Sequence, residues 1–264
     1  MIRMDEKTQY QTTNILNARM NFYHFFHGPR VFEKVREYLC GFEGMEVFDI
    51  GCGNGKMVFE ALKEFSSVRY FGIDRSQAMI EETKQRCPYS DSEFMATDIY
   101  SFATERMFDR IFLCHVLHLL DKKEAILTFV KKHLKKQGRC VITLHSKDDA
   151  PKKRDWIQWF KNQYQKTYQN NHGNVTIETW PSLFGTKFEP VVAECVRGNI
   201  QLSEASPYLA YLETERHRFH PDPTEEEWNA FLLYVQNEIE SSIKEQGFFD
   251  EEQRYGVLVL ENAS

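Results

Sequence analysis

The stretch Asp49-Ile50-Gly51-Cys52-Gly53-Asn54-Gly55 constrains this chain more than any other. It lies between two different hydrophobic periods. Before it, Met45 to Ile50 reads as a buried strand; after it, Val58, Phe59, Leu62 and Phe65 fall at helical spacing. Glycines at such a junction let the backbone turn sharply and approach a ligand closely. The spacing is DxGxGxG. A dinucleotide-binding GxGxxG would need glycine or alanine at position 56, which is Lys56, and no GK[ST] triplet follows for a Walker-type phosphate loop.

The same alternation continues downstream. A second strand, Val68 to Ile73, ends at Asp74; Ser76 can cap the next helix, which carries Met79 and Ile80 inward. Glu93 to Ala96 reads as a short third strand ending near Asp98. Phe108 to Cys114 is a strongly apolar fourth, and Cys140 to Leu144 a fifth, after a lysine-rich amphipathic helix over 121–136. Strands alternating with helices predict an α/β, doubly wound, mostly parallel sheet covered on both faces, with ligands bound outside the carboxyl ends of the strands. Asp74 stands where an acidic residue can hold ribose hydroxyls, and Asp98 where one can meet an adenine amino group. Several carboxylates around one pocket suit a cationic cofactor better than a pyrophosphate.

The flanks read differently. Residues 1–44 form an N-terminal helical cap, with Pro29 suited to a helix N1 position and Gly41 to its stop. Beyond 146, Trp156, Trp159, Phe160, Tyr164 and Tyr168 recur at helical spacing, and a loop is expected around Asn170-Asn171-His172-Gly173. Thr224 with Glu227 makes a capping box for a long helix that ends at Gly247. No Pro/Gly/Ser-rich linker separates these parts, so residues 1–264 read as one domain with added segments.

Composition narrows the function. Net charge is −6, from 33 basic and 39 acidic residues, which disfavours non-specific binding to nucleic acid or anionic lipid. No apolar window approaches a membrane span, the amino terminus lacks a signal core, and the six cysteines include no CxxC pair; a cytoplasmic, reduced protein is expected. The HxxH pairs His24/His27 and His217/His220 have no clear third ligand, so no metal is expected.

Taken together, VFDIGCGNG, FGIDRS, ATDI, FDRIFLCHVLHLL and GRCVITL, in this order over about 100 residues, resemble the class I S-adenosylmethionine-dependent methyltransferases of small-molecule type. The resemblance implies a Rossmann-like, seven-stranded sheet ending in an antiparallel hairpin. It assigns 45–146 to a cofactor-binding core, 147–187 and 201–247 to helical lid or substrate segments, and the closing strands to 188–200 and 255–260. It implies that Asp49, Gly51 and the Cys114 backbone face the methionine end of S-adenosylmethionine, with Cys52, Gly53 and Asn54 in the same loop. Asp74 would bind the ribose, with Arg75 beside it, and Thr97, Asp98, Ile99 and Met79 would surround the adenine.

Methyl transfer from a sulfonium needs alignment of the acceptor and exclusion of water. It needs a base only if the acceptor is a hydroxyl or an ammonium. His115 follows the fourth strand and His145 the fifth, so both are candidates, with His118 read as a packed residue of the same turn. A small-molecule acceptor, methylated at O or N, would be taken by aromatic segments outside the core sheet. Tyr10, Tyr23 and Phe26 are available on one side, and Trp156, Trp159 and Phe160 on the other. At helical spacing the last three also suit simple core packing. The other readings are a non-catalytic S-adenosylmethionine sensor or interaction subunit and, with less support, an RNA or protein methyltransferase. The [DN]PP[YFW] motif of nucleic-acid enzymes is absent after the fourth strand, and the sequence leaves the oligomeric state open.

Overall fold

The computed structural model describes residues 19, 21–169, 175–184 and 189–262, without the side chains of 183, 184 and 189. Tyr10 and the loop expected at 170–173 lie outside these residues. In chain order the elements begin with β1 (Phe26–His27), α1 (Val31–Leu39), β2 (Met45–Ile50), α2 (Lys56–Leu62), β3 (Val68–Asp74), α3 (Gln77–Arg86) and β4 (Ser92–Ala96). Next come β5 (Phe108–Cys114), α4 (Lys123–His133), β6 (Leu134–His145), α5 (Pro151–Tyr164), β7 (Thr167–Tyr168) and α6 (Trp180–Phe184). The chain closes with β8 (Glu189–Leu202), α7 (Ser206–Glu213), β9 (Phe219–His220), α8 (Glu225–Gln246) and β10 (Phe249–Glu261). Among the described residues, no helix is long and apolar enough to cross a membrane.

Where the sequence reads as one domain with added segments, the described residues gather into two compact units. The larger draws on 29–147, 175–196 and 255–262. Its sheet has the order β8-β10-β6-β5-β2-β3-β4, and the two-residue β1 pairs antiparallel with β8, giving eight strands where seven are expected. β2 pairs in parallel with both β3 and β5, and β5 in parallel with β6, while β10 runs antiparallel to β6. This is the doubly wound, mostly parallel α/β arrangement expected, with the antiparallel closing strand.

The strands alternate their side chains between two cores, as period-2 geometry requires. On one face Phe48 and Ile50 of β2 pack with Ile111 and Leu113 of β5 and with Ile126, Leu127 and Val130 of α4. On the other face Met45 and Val47 pack with Val35 and Leu39 of α1 and with Val58 and Leu62 of α2. Each such fully buried side chain stabilises the fold by about 1.5–3 kcal/mol.

Local chemistry moves three expected boundaries. Pro29 stands two residues before α1, because Arg30 is the N-cap and its backbone N–H donates to Glu33 at 2.8 Å. At the other end of α1, Cys40 rather than Gly41 takes the left-handed conformation, with φ +47°. Gly41 is instead held by the Phe65 ring, which a Cβ there would meet at 2.5 Å. The lysine-rich helix ends at His133, because Leu134 is already extended, so β6 begins six residues before Cys140.

The smaller unit draws on 19, 21–28, 148–169 and 197–254. Two aromatic clusters hold it. In one, Phe160 packs against Phe219, Trp228 and Phe231, with centroids 4.7–6.1 Å apart. In the other, Tyr208 packs against Phe22, Trp156 and Phe249 at 5.0–5.7 Å. α8 starts on the predicted capping box: Thr224 Oγ1 accepts from the Glu227 N–H at 3.2 Å, and Glu227 accepts from the Thr224 N–H at 2.8 Å. Gly247 closes the helix in the left-handed region, where its missing Cβ removes the strain.

Candidate functional site

In the larger unit the carboxyl ends of β2, β3, β4 and β5 form one edge, and most sequence-predicted cofactor residues stand on it. The glycine loop folds back over the end of β3, with the Gly51 and Cys52 N–H groups donating to the Ile73 carbonyl at 2.8 and 2.9 Å. Gly51 and Gly53 both lie in the left-handed region, at φ +72° and +54°. They serve different ends. A Cβ on Gly51 would strike Val116 Cγ2 at 2.5 Å, whereas one on Gly53 would meet nothing within 4 Å. The Gly53 backbone thus borders open space that a side chain would fill.

Asp74 holds this loop in place. Its Oδ2 accepts the Gly53 N–H at 2.9 Å and its Oδ1 the Ser76 N–H at 2.8 Å. Burial raises its pKa, against the opposing pull of those two donors. Each carboxylate oxygen has a second lone pair, so a ligand's hydroxyls can still donate to it. Thr97 joins through its N–H, which donates to the Asp74 carbonyl at 2.8 Å. Asp98, half-exposed, caps the following turn by accepting the Tyr100 N–H at 2.9 Å, with exposed Arg75 at 3.8 Å.

Asp49 is buried on β2, at 1% exposure. Its Oδ2 accepts from the Tyr70 hydroxyl at 2.5 Å. Its Oδ1 is also buried and has no hydrogen-bond partner among the described residues. Burial pushes the Asp49 pKa up to about 7, with the nearby Asp74 adding to the effect and the Tyr70 hydrogen bond opposing it. An unpaired buried carboxylate oxygen is costly, and a cationic ligand would relieve it. The open Gly53 cradle, the orphaned Asp49 oxygen and the free lone pairs of Asp74 therefore fit an ammonium-bearing nucleoside.

Three predicted cofactor residues are drawn into the protein's own structure. Ile99 and Met79 are buried, and the Asn54 side chain is occupied by Glu82 and the Lys56 N–H, each at 3.4 Å. Thr83, which the sequence reading missed, hydroxyl-bonds both the Gly53 carbonyl and, at 2.8 Å, that of Met79. It ties the loop to α3. A threonine one turn after an inward methionine carries no signal of that contact.

Past the end of β5, His115 adopts a left-handed conformation at φ +52°, rare for a non-glycine residue. Its N–H donates to Thr143 Oγ1 at 2.9 Å, and its buried Nδ1 has no partner among the described residues. Burial lowers its pKa to about 4, so the ring is neutral near pH 7. His145, at the end of β6, lies 5.3 Å from His115 and 4.9 Å from His118, ring centre to ring centre. The two candidate bases are thus neighbours. Among the described residues, no group of three His, Cys, Asp or Glu is arranged to hold a metal.

The described aromatic substrate candidates belong to the smaller unit, and three of them, Phe26, Trp156 and Phe160, are buried in its packing. Trp156 and Phe160 are buried at 4% and 0% and pack in its two ring clusters. Trp159 stacks on Tyr234 at 4.1 Å. Phe26 is also buried, its ring lying where a Cβ on Gly198 would be. Trp156, Phe160 and Phe26 serve packing, because neighbours already cover them, while Trp159 is half-buried with one face on Tyr234. Tyr23 stays exposed.

The comparisons with known proteins bear on the family and the fold. A family model described as a methyltransferase domain matches residues 42–216. Among curated proteins, trans-aconitate 2-methyltransferase of Enterobacter sp. (strain 638) is 27% identical over 106 residues, covering 40% of this chain and 41% of that protein. Pavine N-methyltransferase of Thalictrum flavum subsp. glaucum is 24% identical over 106 residues, covering 39% and 30%. The chain thus spans well under half the length of these curated relatives. Among solved structures, an S-adenosylmethionine-dependent methyltransferase from Thiobacillus denitrificans, in complex with S-adenosyl-L-homocysteine, superposes with a TM-score of 0.57 at 15% identity, covering 94% of this chain and 96% of that one.

Proposed function

Because this chain belongs to the methyltransferase-domain family, we propose that it transfers a methyl group from S-adenosylmethionine to a small-molecule acceptor, at oxygen or nitrogen. The observation that carries this reading is the buried, unpartnered Asp49 Oδ1 in front of a glycine loop whose backbone borders open space at Gly53. Asp49 would receive the ammonium of the methionine part, Asp74 the ribose hydroxyls, and the Thr97–Asp98 turn the adenine edge. The Gly51 backbone and Cys114 would line the path between them.

When bound, S-adenosylmethionine supplies an electrophilic methyl on a sulfonium: the acceptor's lone pair forms the new bond as the S–CH3 bond breaks and its electron pair stays on sulfur. The chain's own residues would orient the acceptor for in-line approach and exclude water. If the acceptor is a hydroxyl or an ammonium, His115 would take its proton. Its neutral ring and unpartnered Nδ1 support that role, while the burial that keeps it neutral also weakens it as a base.

Calorimetry with S-adenosylmethionine and S-adenosyl-L-homocysteine tests the cofactor reading, which fails if neither binds. Transfer of a labelled methyl group to a metabolite extract tests the activity. Binding without transfer would make the protein a cofactor sensor.

A further inference from the structure

We infer that Tyr70 is a positioning residue for the cofactor: its hydroxyl occupies Oδ2 of Asp49 and leaves Oδ1 as the acceptor for the ligand's ammonium group. This rests on the cofactor reading above and names a residue that reading does not use.

The contact is built by the sheet. In the parallel register of β2 and β3, Val47 stands opposite Tyr70 and Asp49 opposite Gly72. Tyr70 and Asp49 therefore share a face, offset by two residues along the strands. Gly72 leaves the gap through which the phenol leans toward Asp49; a Cβ there would come within 3.1 Å of the Tyr70 ring and 3.2 Å of Cys52 Sγ. Three rings then fix the direction of the phenol. Phe59 lies 5.1 Å from it, Phe94 5.6 Å and Tyr89 6.3 Å, centre to centre. Tyr70 is 2% exposed, so its hydroxyl is a fixed donor in a dry environment, where a hydrogen bond to a carboxylate counts for more than in water.

The surroundings make that donor matter. The titratable groups around Asp49 are Tyr70 and Asp74 on β3, which act on it, and Cys52 in the loop and Cys114 on β5, whose thiols it helps keep neutral. None of the four brings a positive charge. With burial and Asp74 both favouring the neutral acid, the Tyr70 hydrogen bond is what keeps the carboxylate form within reach near neutral pH. An arriving ammonium then pairs with Oδ1 while Tyr70 holds the other oxygen. Ammonium binding and ionisation of Asp49 are linked, so affinity should follow the Asp49 titration.

The test is the dissociation constant of S-adenosyl-L-homocysteine, measured by calorimetry on the full chain between about pH 6 and 8, for wild type and Tyr70→Phe. Carbon-13 NMR of the Asp49 carboxyl in the ligand-free protein reports its titration midpoint. The expected result is an upward shift of that midpoint in Tyr70→Phe, with affinity about tenfold weaker near pH 7 and the deficit shrinking as pH rises. Equal weakening at every pH with an unmoved midpoint would make Tyr70 a packing residue and overturn the proposal, as would wild-type affinity throughout. If Tyr70→Phe does not fold, the wild type still decides: affinity that ignores pH across the measured Asp49 midpoint overturns the linkage, and affinity that follows it supports it. Absence of binding by wild type would instead sink the cofactor reading itself, an outcome distinct from a silent Tyr70→Phe.

Discussion

Gly51 and Val116 meet with no room for a side chain between them: a Cβ on Gly51 would sit 2.5 Å from Val116 Cγ2. The contact locks the glycine loop after β2 to the turn that follows β5 and carries His115. Gly51→Ala should therefore cost roughly 2–5 kcal/mol, combining the left-handed strain with overpacking. Gly53→Ala, which meets nothing within 4 Å, should cost only about 1–2 kcal/mol from its backbone and still weaken the cofactor strongly. Urea denaturation of both variants, with calorimetry on Gly53→Ala, separates the two roles. Equal stability losses would refute the distinction.

His115 should leave a mark on stability as acid is added. Its folded-state pKa is lowered by burial to about 4, against an ordinary value of 6.5. The unfolded chain therefore takes up the proton first. The stability gained from a neutral His115 is fully present above pH 6.5 and is lost as pH falls toward 4. At about 1.4 kcal/mol per unit, this contributes up to ~3 kcal/mol of acid sensitivity. Denaturant unfolding of wild type and His115→Gln across this window should show a shallower decline in the variant.

Much of this site could be read from the chain because its determinants are local. The switch from period 2 to helical spacing at the glycines gave the β2–loop–α2 turn, and Asp74 and Asp98 followed from where strands end. What escaped depends on register and on packing across the fold. The Tyr70–Asp49 bond joins residues 21 apart, through a strand pairing that no single stretch encodes. Cys40 takes the left-handed cap, and Gly41 is needed for another reason, the Phe65 ring that fills the space where its Cβ would be. The helical spacing of Trp156 and Phe160 favours a core over a pocket without deciding between them, since it states which face is apolar but not what covers it.

Glu215 should be the acid-sensitive joint of the smaller unit. It is 2% exposed and bonds Arg218 at 2.9 Å, Arg19 at 3.1 Å and the Tyr168 hydroxyl at 2.6 Å. Burial works against its charge, but Arg218, Lys153 and Arg19 outweigh it and hold the pKa at about 2. Its contribution is present above the ordinary glutamate range and is lost as pH falls toward 2. Glu215→Gln leaves Arg218 buried without its counter-charge, a change that costs about 3–5 kcal/mol. Thermal unfolding near neutral pH checks this; an unchanged midpoint would show the pair to be dispensable.

Asp74 has two possible duties, and one experiment can divide them. Its carboxylate already holds the Gly53 and Ser76 N–H groups, so any replacement disturbs the loop as well as a bound ribose. Asp74→Asn keeps the size but presents one carbonyl oxygen to two donors, leaving one N–H facing an amide NH2. The expected loss is about 1–3 kcal/mol of stability and at least tenfold in cofactor affinity. The division comes from a second ligand, S-adenosyl-L-homocysteine lacking its 2′-hydroxyl, run in a double-mutant cycle. If Asp74 receives that hydroxyl, its removal should cost wild type about tenfold and Asp74→Asn far less, because the partner is already gone. Equal penalties in both proteins would leave Asp74 as a support of the glycine loop and move ribose recognition elsewhere on the edge.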